Sequence, residues 1–277
     1  MMTTAARTQT PAEPDPGYRL TADQISSFRE NGFIHLRDVL TPEKLALYRA
    51  EIGAKVRELS AGIAPLERRE TYGKAFLQVM NLWRESDLVR RFVFDQTLAR
   101  IAAGLLEVAG VRLYHDQALF KEAGGGITPW HADQHYWPLI SDRAITAWIP
   151  LTAVSLEMGP LAFCPGSHRL QDGRDLEISD ESEATLAHKL ELYGVVEEPF
   201  AAGDVSFHLG WTFHRAGANA TSGVREAFTI IYLDQEMRLA QPRNKNQATD
   251  WERWCPGIRT GEVISSELNP VLYRGEG

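Results

Sequence analysis

The chain has 277 residues, 44% of them hydrophobic and 24% charged, the balance of a globular protein able to bury a substantial core. Its formal net charge of −8, with no Lys/Arg-rich stripe, argues against nucleic-acid binding, which needs clustered positive charge. No apolar run approaches the roughly 18 residues of a membrane helix, and the two cysteines, Cys164 and Cys255, lack the spacing of a disulfide framework or a zinc finger. A cytoplasmic protein is therefore expected.

The opening segment, MMTTAARTQTPAEPDPG, is polar and Pro-rich, has no signal-peptide core, and is expected to be disordered to about residue 18. LTADQISSFRENGF then predicts a helix over 22–31, capped by Thr21 and closed by Gly32. FIHLRDVL alternates like a short strand, and TPEKLALYRAEIGAKVREL predicts a second helix to about residue 60, with Thr41 as cap and Pro42 in the first turn. SDLVRRFVFDQTLARIAAGLLEVAG continues in helical style to Gly110. From residue 111 the texture changes to short β-rich runs: VRLYHDQALF, ITAWIPLTAV, LAFCPGSH, GDVSFHLG and REAFTIIYL. Such runs suggest a sandwich or jelly roll with helices over one face. Residues 169–198 interrupt them with an acidic, partly helical insertion, expected to be a solvated surface excursion.

Of the eight histidines, only His131 is followed two residues on by a carboxylate, Asp133. On extended backbone these side chains share a face and can converge on one ion. Two His and one carboxylate leave open positions for a co-substrate and dioxygen, the ligand set of non-haem iron(II) oxygenases. The third ligand then comes from a distant strand, and spacing alone does not separate His208 from His214. Arg225 favours His214: it follows by eleven residues, at the head of an apolar strand, and a turn through GANATSG between antiparallel strands would return it beside His214. A buried guanidinium there needs an anion such as a dicarboxylate.

PWHADQHYWP, AITAWIPLTAVSLEMGPLAFCPGSHR and HLGWTFHRAGANATSGVR, after the opening TADQISSFRENGFIHLRDVLTPEKL, together resemble the phytanoyl-CoA dioxygenase family over about residues 20–235. The resemblance implies a mainly β fold with flanking helices, a double-stranded β-helix (jelly-roll, cupin-like) core under an N-terminal helical layer. One oxygenase domain over 19–277 is expected, mainly helical over 19–110, jelly roll over 111–235 with the insertion at 169–198, and a C-terminal extension over 236–277. It implies Fe(II), 2-oxoglutarate and O2 as cofactor and co-substrates, with His131, Asp133 and His214 as iron ligands and Arg225 bound to the distal carboxylate of 2-oxoglutarate. Gln117 and Trp148 fall where the family places residues against the co-substrate. Ala132 and Ala216 depart from the Gln and the hydroxyl residue often found there, which touches substrate or co-substrate details. Asp133 argues against halogenation, since related halogenases have a small residue at that position.

The expected reaction couples decarboxylation of 2-oxoglutarate to hydrogen-atom removal from a small-molecule substrate. Hydroxylation, ring closure, epoxidation or epimerisation can follow. Tyr72, Phe76, Trp83, Tyr136, Trp137, Trp211 and Phe213 cluster around the motifs and suit a bulky, partly apolar molecule, of the kind modified in antibiotic biosynthesis. The absence of a basic cluster for nucleotide phosphates favours such a molecule over a coenzyme A thioester. A zinc-type hydrolase or isomerase, which leaves Arg225 without a role, and a non-catalytic binding β-sandwich, which predicts no consumption of 2-oxoglutarate, are the alternatives. A monomer or weak homodimer, without membrane or nucleic-acid partners, is expected.

Overall fold

The computed structural model describes residues 17–69 and 71–275. The expected disordered tail lies outside the described residues as far as position 16. Tyr18, at its end, receives hydrogen bonds from Gln24 and Arg100.

Helix α1 (Ala22–Asn31) starts at a capping box, in which Thr21 accepts from Gln24 N–H and the Gln24 side chain accepts from Thr21 N–H. Gly32, at φ 80°, ends it and turns the chain into β1 (Phe33–Leu36). Helix α2 (Pro42–Leu59) follows, capped by Thr41, and then α3 (Thr71–Ala75) and β2 (Leu77–Met80). The helical run expected up to Gly110 divides into α4 (Asp87–Val93) and α5 (Gln96–Leu106). Asp95 causes the break, because its carboxylate accepts from the N–H groups of Thr97 and Leu98 and so starts a new helix.

Eight strands then run in jelly-roll order: β3 (Gly110–Lys121), β4 (Thr128–His131), β5 (Ala144–Pro150), β6 (Leu161–Phe163), after α6 (Asp180–Leu190) the short β7 (Val196–Glu197), β8 (Val205–Leu209), β9 (His214–Ala216) and β10 (Arg225–Asp234). They form two antiparallel sheets. One carries β8, β5, β10 and β3 side by side, with β1 added beside β8, and β2 and β11 (Val271–Arg274) added beside β3. The other has the order β4-β9-β6-β7. This is the double-stranded β-helix. Helix α7 (Lys245–Trp254) follows the barrel.

Period-two alternation decides what each strand offers. Ile145, Ala147 and Ile149 on β5, Val205 and Phe207 on β8, and Phe228, Ile230 and Tyr232 on β10 join the helices in one apolar cluster that includes Phe28, Ile52, Phe92, Leu98 and Ile101. The alternate residues therefore point into the barrel.

The insertion over 169–198 departs from the solvated excursion expected of it. His188 is exposed, but α6 buries Leu186 and Leu190 with Trp130, Cys164 and Phe213, and Glu183 accepts from the backbone N–H of Trp130. Its acidic composition masked this apolar stripe. No described helix is long and apolar enough to cross a membrane.

Candidate metal centre and cofactor pocket

His131 ends β4, Asp133 follows two residues later, and His214 opens β9, the neighbour of β4 in the small sheet. The β4–β9 register sets His131 opposite His214, with ring centroids 4.2 Å apart. Asp133 Oδ1 lies 3.6 Å from His131 Nε2 and 3.7 Å from His214 Nε2. One ligand atom from each of the three falls within 4.8 Å of the others.

The second ring nitrogens settle what these imidazoles can do. His131 Nδ1 is 2.7 Å from Pro129 O, and His214 Nδ1 is 3.0 Å from Thr212 O. A carbonyl only accepts, so each Nδ1 carries the proton and each Nε2 keeps its lone pair for a metal. Burial, and then the charges of His131 and His208, hold His214 well below the usual histidine range, which keeps it neutral. Burial works against the anion at Asp133, but the neighbouring imidazoles, His214 first, outweigh it and hold the carboxyl well below its usual range. Two neutral nitrogen donors and one anionic oxygen suit a divalent transition metal such as iron(II).

His208 enters the same space from the large sheet, its ring 4.4 Å from that of His214. Its Nε2, however, lies 3.2 Å from Asp133 Oδ2, so that nitrogen is a donor and has no lone pair to offer. His208 and His214 thus differ in what each ring nitrogen faces, a carboxylate oxygen for His208 Nε2 and a backbone carbonyl for His214 Nδ1. His168 stands apart, packed against Gly32.

Arg225 opens β10 and is 1% exposed. The turn that precedes it does not join two strands of one sheet as the sequence suggests. β9 and β10 belong to different sheets, and the segment between them crosses the barrel wall. Arg225 is paired in register with Lys121 on β3, and both side chains are buried. Among the described residues no carboxylate forms an ion pair with either. Arg225 Nη1 donates to Gly159 O at 2.6 Å, while its Nε has no partner among the described residues. Burial lowers Arg225 to about 10, and burial followed by the charge of Arg225 lowers Lys121 to about 7. Two buried cations without a counter-ion are costly unless an anion joins them, so the pair has the chemistry to receive a carboxylate.

Trp148 on β5 is 1% exposed and lies 5.5 Å from the Arg225 guanidinium, and its indole N–H has no partner among the described residues. Gln117 on β3 lines the same cavity, and its Oε1 accepts from Gln78 at 2.5 Å. The cavity encloses about 370 Å³, within the usual range of ligand pockets, and reaches from Arg225 past the His131–Asp133–His214 trio to the outside. Of the aromatic residues singled out in the sequence, Phe76, Tyr136 and Trp137 line it. Trp83 and Phe213 belong to apolar clusters elsewhere, Trp211 turns to Asp142 and Arg174, and the side chain of Tyr72 lies outside those described.

Sequence reasoning missed the outer wall. It is built by Glu177 and Ile178 of the insertion and by Asn246, Asp250 and Trp254 of α7. The Asn246 amide donates to Glu177 at 3.1 Å, and Tyr114 OH donates to Asp250 at 2.9 Å. The apolar stripe of α7, Trp251 and Trp254, with Cys255 just beyond it, against Tyr114 and Trp137, was the available signal.

Residues 28–227 match the phytanoyl-CoA dioxygenase (PhyH) family. The ectoine dioxygenase of Bordetella parapertussis is 26% identical over 243 residues, covering 81% of this chain and 79% of its own. The non-haem alpha ketoglutarate dependent carbocyclase SnoK of nogalamycin biosynthesis is similar with 28% identity and a TM-score of 0.73, over 91% of this chain and 96% of its own. The epimerase SnoN, solved in complex with Fe3+, alpha ketoglutarate and nogalamycin RO, is similar with 28% identity and a TM-score of 0.73, over 91% of this chain and 98% of its own.

Proposed function

This chain belongs to the phytanoyl-CoA dioxygenase family, and from that membership we propose that it performs a tailoring step on a bulky, partly apolar natural product. It is an iron(II)- and 2-oxoglutarate-dependent dioxygenase. His131, Asp133 and His214 hold the iron, Arg225 anchors the distal carboxylate of 2-oxoglutarate, and Gln117 and Trp148 flank that co-substrate. The observation that carries this reading is the meeting, in one cavity, of the three metal-binding side chains with an arginine that has no carboxylate partner among the described residues.

The residues divide the work. The backbone carbonyls of Pro129 and Thr212 fix the tautomers of His131 and His214, so both bind as neutral ligands. The guanidinium of Arg225 offers a planar fork to a carboxylate and, from a dry wall, orients a dicarboxylate toward the metal trio. Iron(II) bound there, with 2-oxoglutarate and dioxygen, supplies the oxidising power for hydrogen-atom removal from the substrate. Tyr136, Trp137 and Trp254, beyond the trio from Arg225, present ring surface to an apolar substrate and limit access of water. The named relatives include an epimerase and a carbocyclase, and hydroxylation, ring closure, epoxidation and epimerisation are the outcomes in scope here. The enzyme works as one domain over residues 19–277, as a monomer or weak homodimer in the cytoplasm.

Anaerobic titration of the iron(II) protein with 2-oxoglutarate tests the assignment through the weak visible charge-transfer band of the chelate. The band is expected in the wild type and absent in both Arg225→Ala and His214→Ala. Iron uptake without a band in the wild type refutes the anchor at Arg225. Succinate release then screens substrates.

A further inference from the structure

β5 and β8 are antiparallel neighbours, and their register sets Thr146 directly opposite His208. Both are buried, both belong to the strand faces that point into the barrel, and both reach the same atom. Thr146 Oγ1 is 2.9 Å and His208 Nε2 is 3.2 Å from Asp133 Oδ2. The two oxygens of Asp133 are therefore in different company: Oδ2 faces two donors from the large sheet, and Oδ1 is the one within 4 Å of His131 and His214.

A carboxylate accepts and cannot donate, so the proton of His208 is on Nε2 and its Nδ1 is the bare nitrogen. That nitrogen is buried and has no partner among the described residues, so nothing else draws the proton away from the carboxylate. Without such donors a carboxylate turns freely about its last bond and binds a metal through one oxygen or through both. Two-oxygen binding would take up a position that a co-substrate needs.

We propose that Thr146 and His208 form a two-donor clamp that makes Asp133 present a single oxygen, Oδ1, to the metal, so that His208 is a positioning residue and not a fourth ligand. The clamp rests on the iron reading given above. It explains why a third imidazole lies against the trio yet outside the set of atoms able to share one ion. It also accounts for a hydroxyl on β5 in the middle of an apolar run, AITAWIP, where packing alone would favour valine.

Co(II), a visible stand-in for iron(II) that is stable in air, tests the clamp in the full chain without substrate or turnover. Thr146→Val keeps the shape and removes the hydroxyl, and Thr146→Ser restores it. His208→Phe removes the ring donor, and His208→Gln returns an N–H. Thr146→Val and His208→Phe are each expected to weaken Co(II) binding by roughly 10- to 100-fold and to change the intensity of the visible bands as the coordination number changes. Thr146→Ser and His208→Gln recover most of both effects. Thermal melting without metal is expected to be nearly unchanged in Thr146→Val, which separates positioning from a loss of fold.

Thr146→Val that binds Co(II) as tightly as the wild type and with the same spectrum overturns the clamp, as does failure of Thr146→Ser to recover what Thr146→Val loses. Loss of binding in both His208 variants beside an unaffected Thr146→Val makes His208 a ligand and also overturns it. Because Thr146→Val is close to isosteric, it decides the matter even where His208→Phe does not fold. A wild-type protein that takes up no Co(II) refutes the iron reading itself, and the clamp with it.

Discussion

Trp148, which we propose lies beside the co-substrate, carries one buried donor atom to test that placement. Its ring is packed against Phe200, yet its N–H has no acceptor among the described residues, an arrangement that costs about 1–3 kcal/mol when no ligand is present. Trp148→Phe is therefore expected to leave the ligand-free protein as stable as the wild type or more so, while weakening 2-oxoglutarate binding by about 0.5–1.5 kcal/mol, roughly two- to tenfold. Chemical denaturation and anaerobic calorimetry read the two effects separately. Arg225→Lys is expected to bind 2-oxoglutarate better than Arg225→Ala and worse than the wild type, because an ammonium keeps the charge but loses the fork. The same titration with all three proteins checks the order.

At the scale of elements, the barrel works because neighbouring strands pair in registers that bring chosen side chains together. Thr146 faces His208, His131 faces His214, and Arg225 faces Lys121. The turn after β5 matters as much as the strands. Gly159 has φ +66° and a carbonyl that holds Arg225, and a Cβ there would sit 2.2 Å from Gly217 O. Gly159→Ala is expected to cost about 1–3 kcal/mol in stability and also to weaken 2-oxoglutarate binding, by moving the carbonyl that orients Arg225. Thermal melting and the charge-transfer band measure the two. Helix α6 is held through Leu186, which is fully buried, so Leu186→Ala is expected to destabilise by about 2–5 kcal/mol. The metal trio lies on other elements, and Co(II) binding by the folded fraction is expected to persist.

Across the whole molecule, burial of ionisable groups shapes the response to pH. Asp116, fully buried under two backbone N–H donors, is raised by burial to about 7 from 3.8. Between those values the folded chain keeps a proton that the unfolded chain has lost, so stability falls as pH rises, by up to ~1.4 kcal/mol per pH unit. Asp250, also raised by burial to about 7, acts in the same direction. Lys121 acts oppositely: lowered to about 7 from 10.5, it is neutral in the folded chain while still protonated in the unfolded one, so its contribution rises with pH above 7. His115, lowered by burial to about 3, and His214 oppose the two carboxyls below the usual histidine range, because each stays neutral in the folded chain where the unfolded one is protonated. Asp116→Asn is therefore expected to gain stability relative to the wild type as pH rises from 5 to 7 and to hold that gain at pH 9, as read by denaturation of the metal-free proteins at the three values.

Local signals were enough for much of this. Thr21, Thr41 and Gly32 mark helix ends through hydrogen bonds made within a few residues, and alternation in GDVSFHLG and REAFTIIYL marks strands through the geometry of the backbone itself. The His131–Asp133 spacing and the shared motifs named the family and the candidate site residues by the same local logic. What only the tertiary structure decided is whatever depends on which strand lies beside which. The stretch before Arg225 crosses between sheets, the acidic insertion hides an apolar stripe against Trp130 and Phe213, and α7 closes the outer wall of the cavity. The surroundings of His208 and His214, between which Arg225 and the shared motifs already favoured His214 as ligand, are of the same kind. Both are buried histidines on inward-facing strands, and they differ in the atom that meets each ring nitrogen: a carbonyl two residues back for His214, and a carboxylate from across the barrel for His208. A contact within two residues can be read from spacing, whereas a contact 75 residues apart exists only once the barrel has closed.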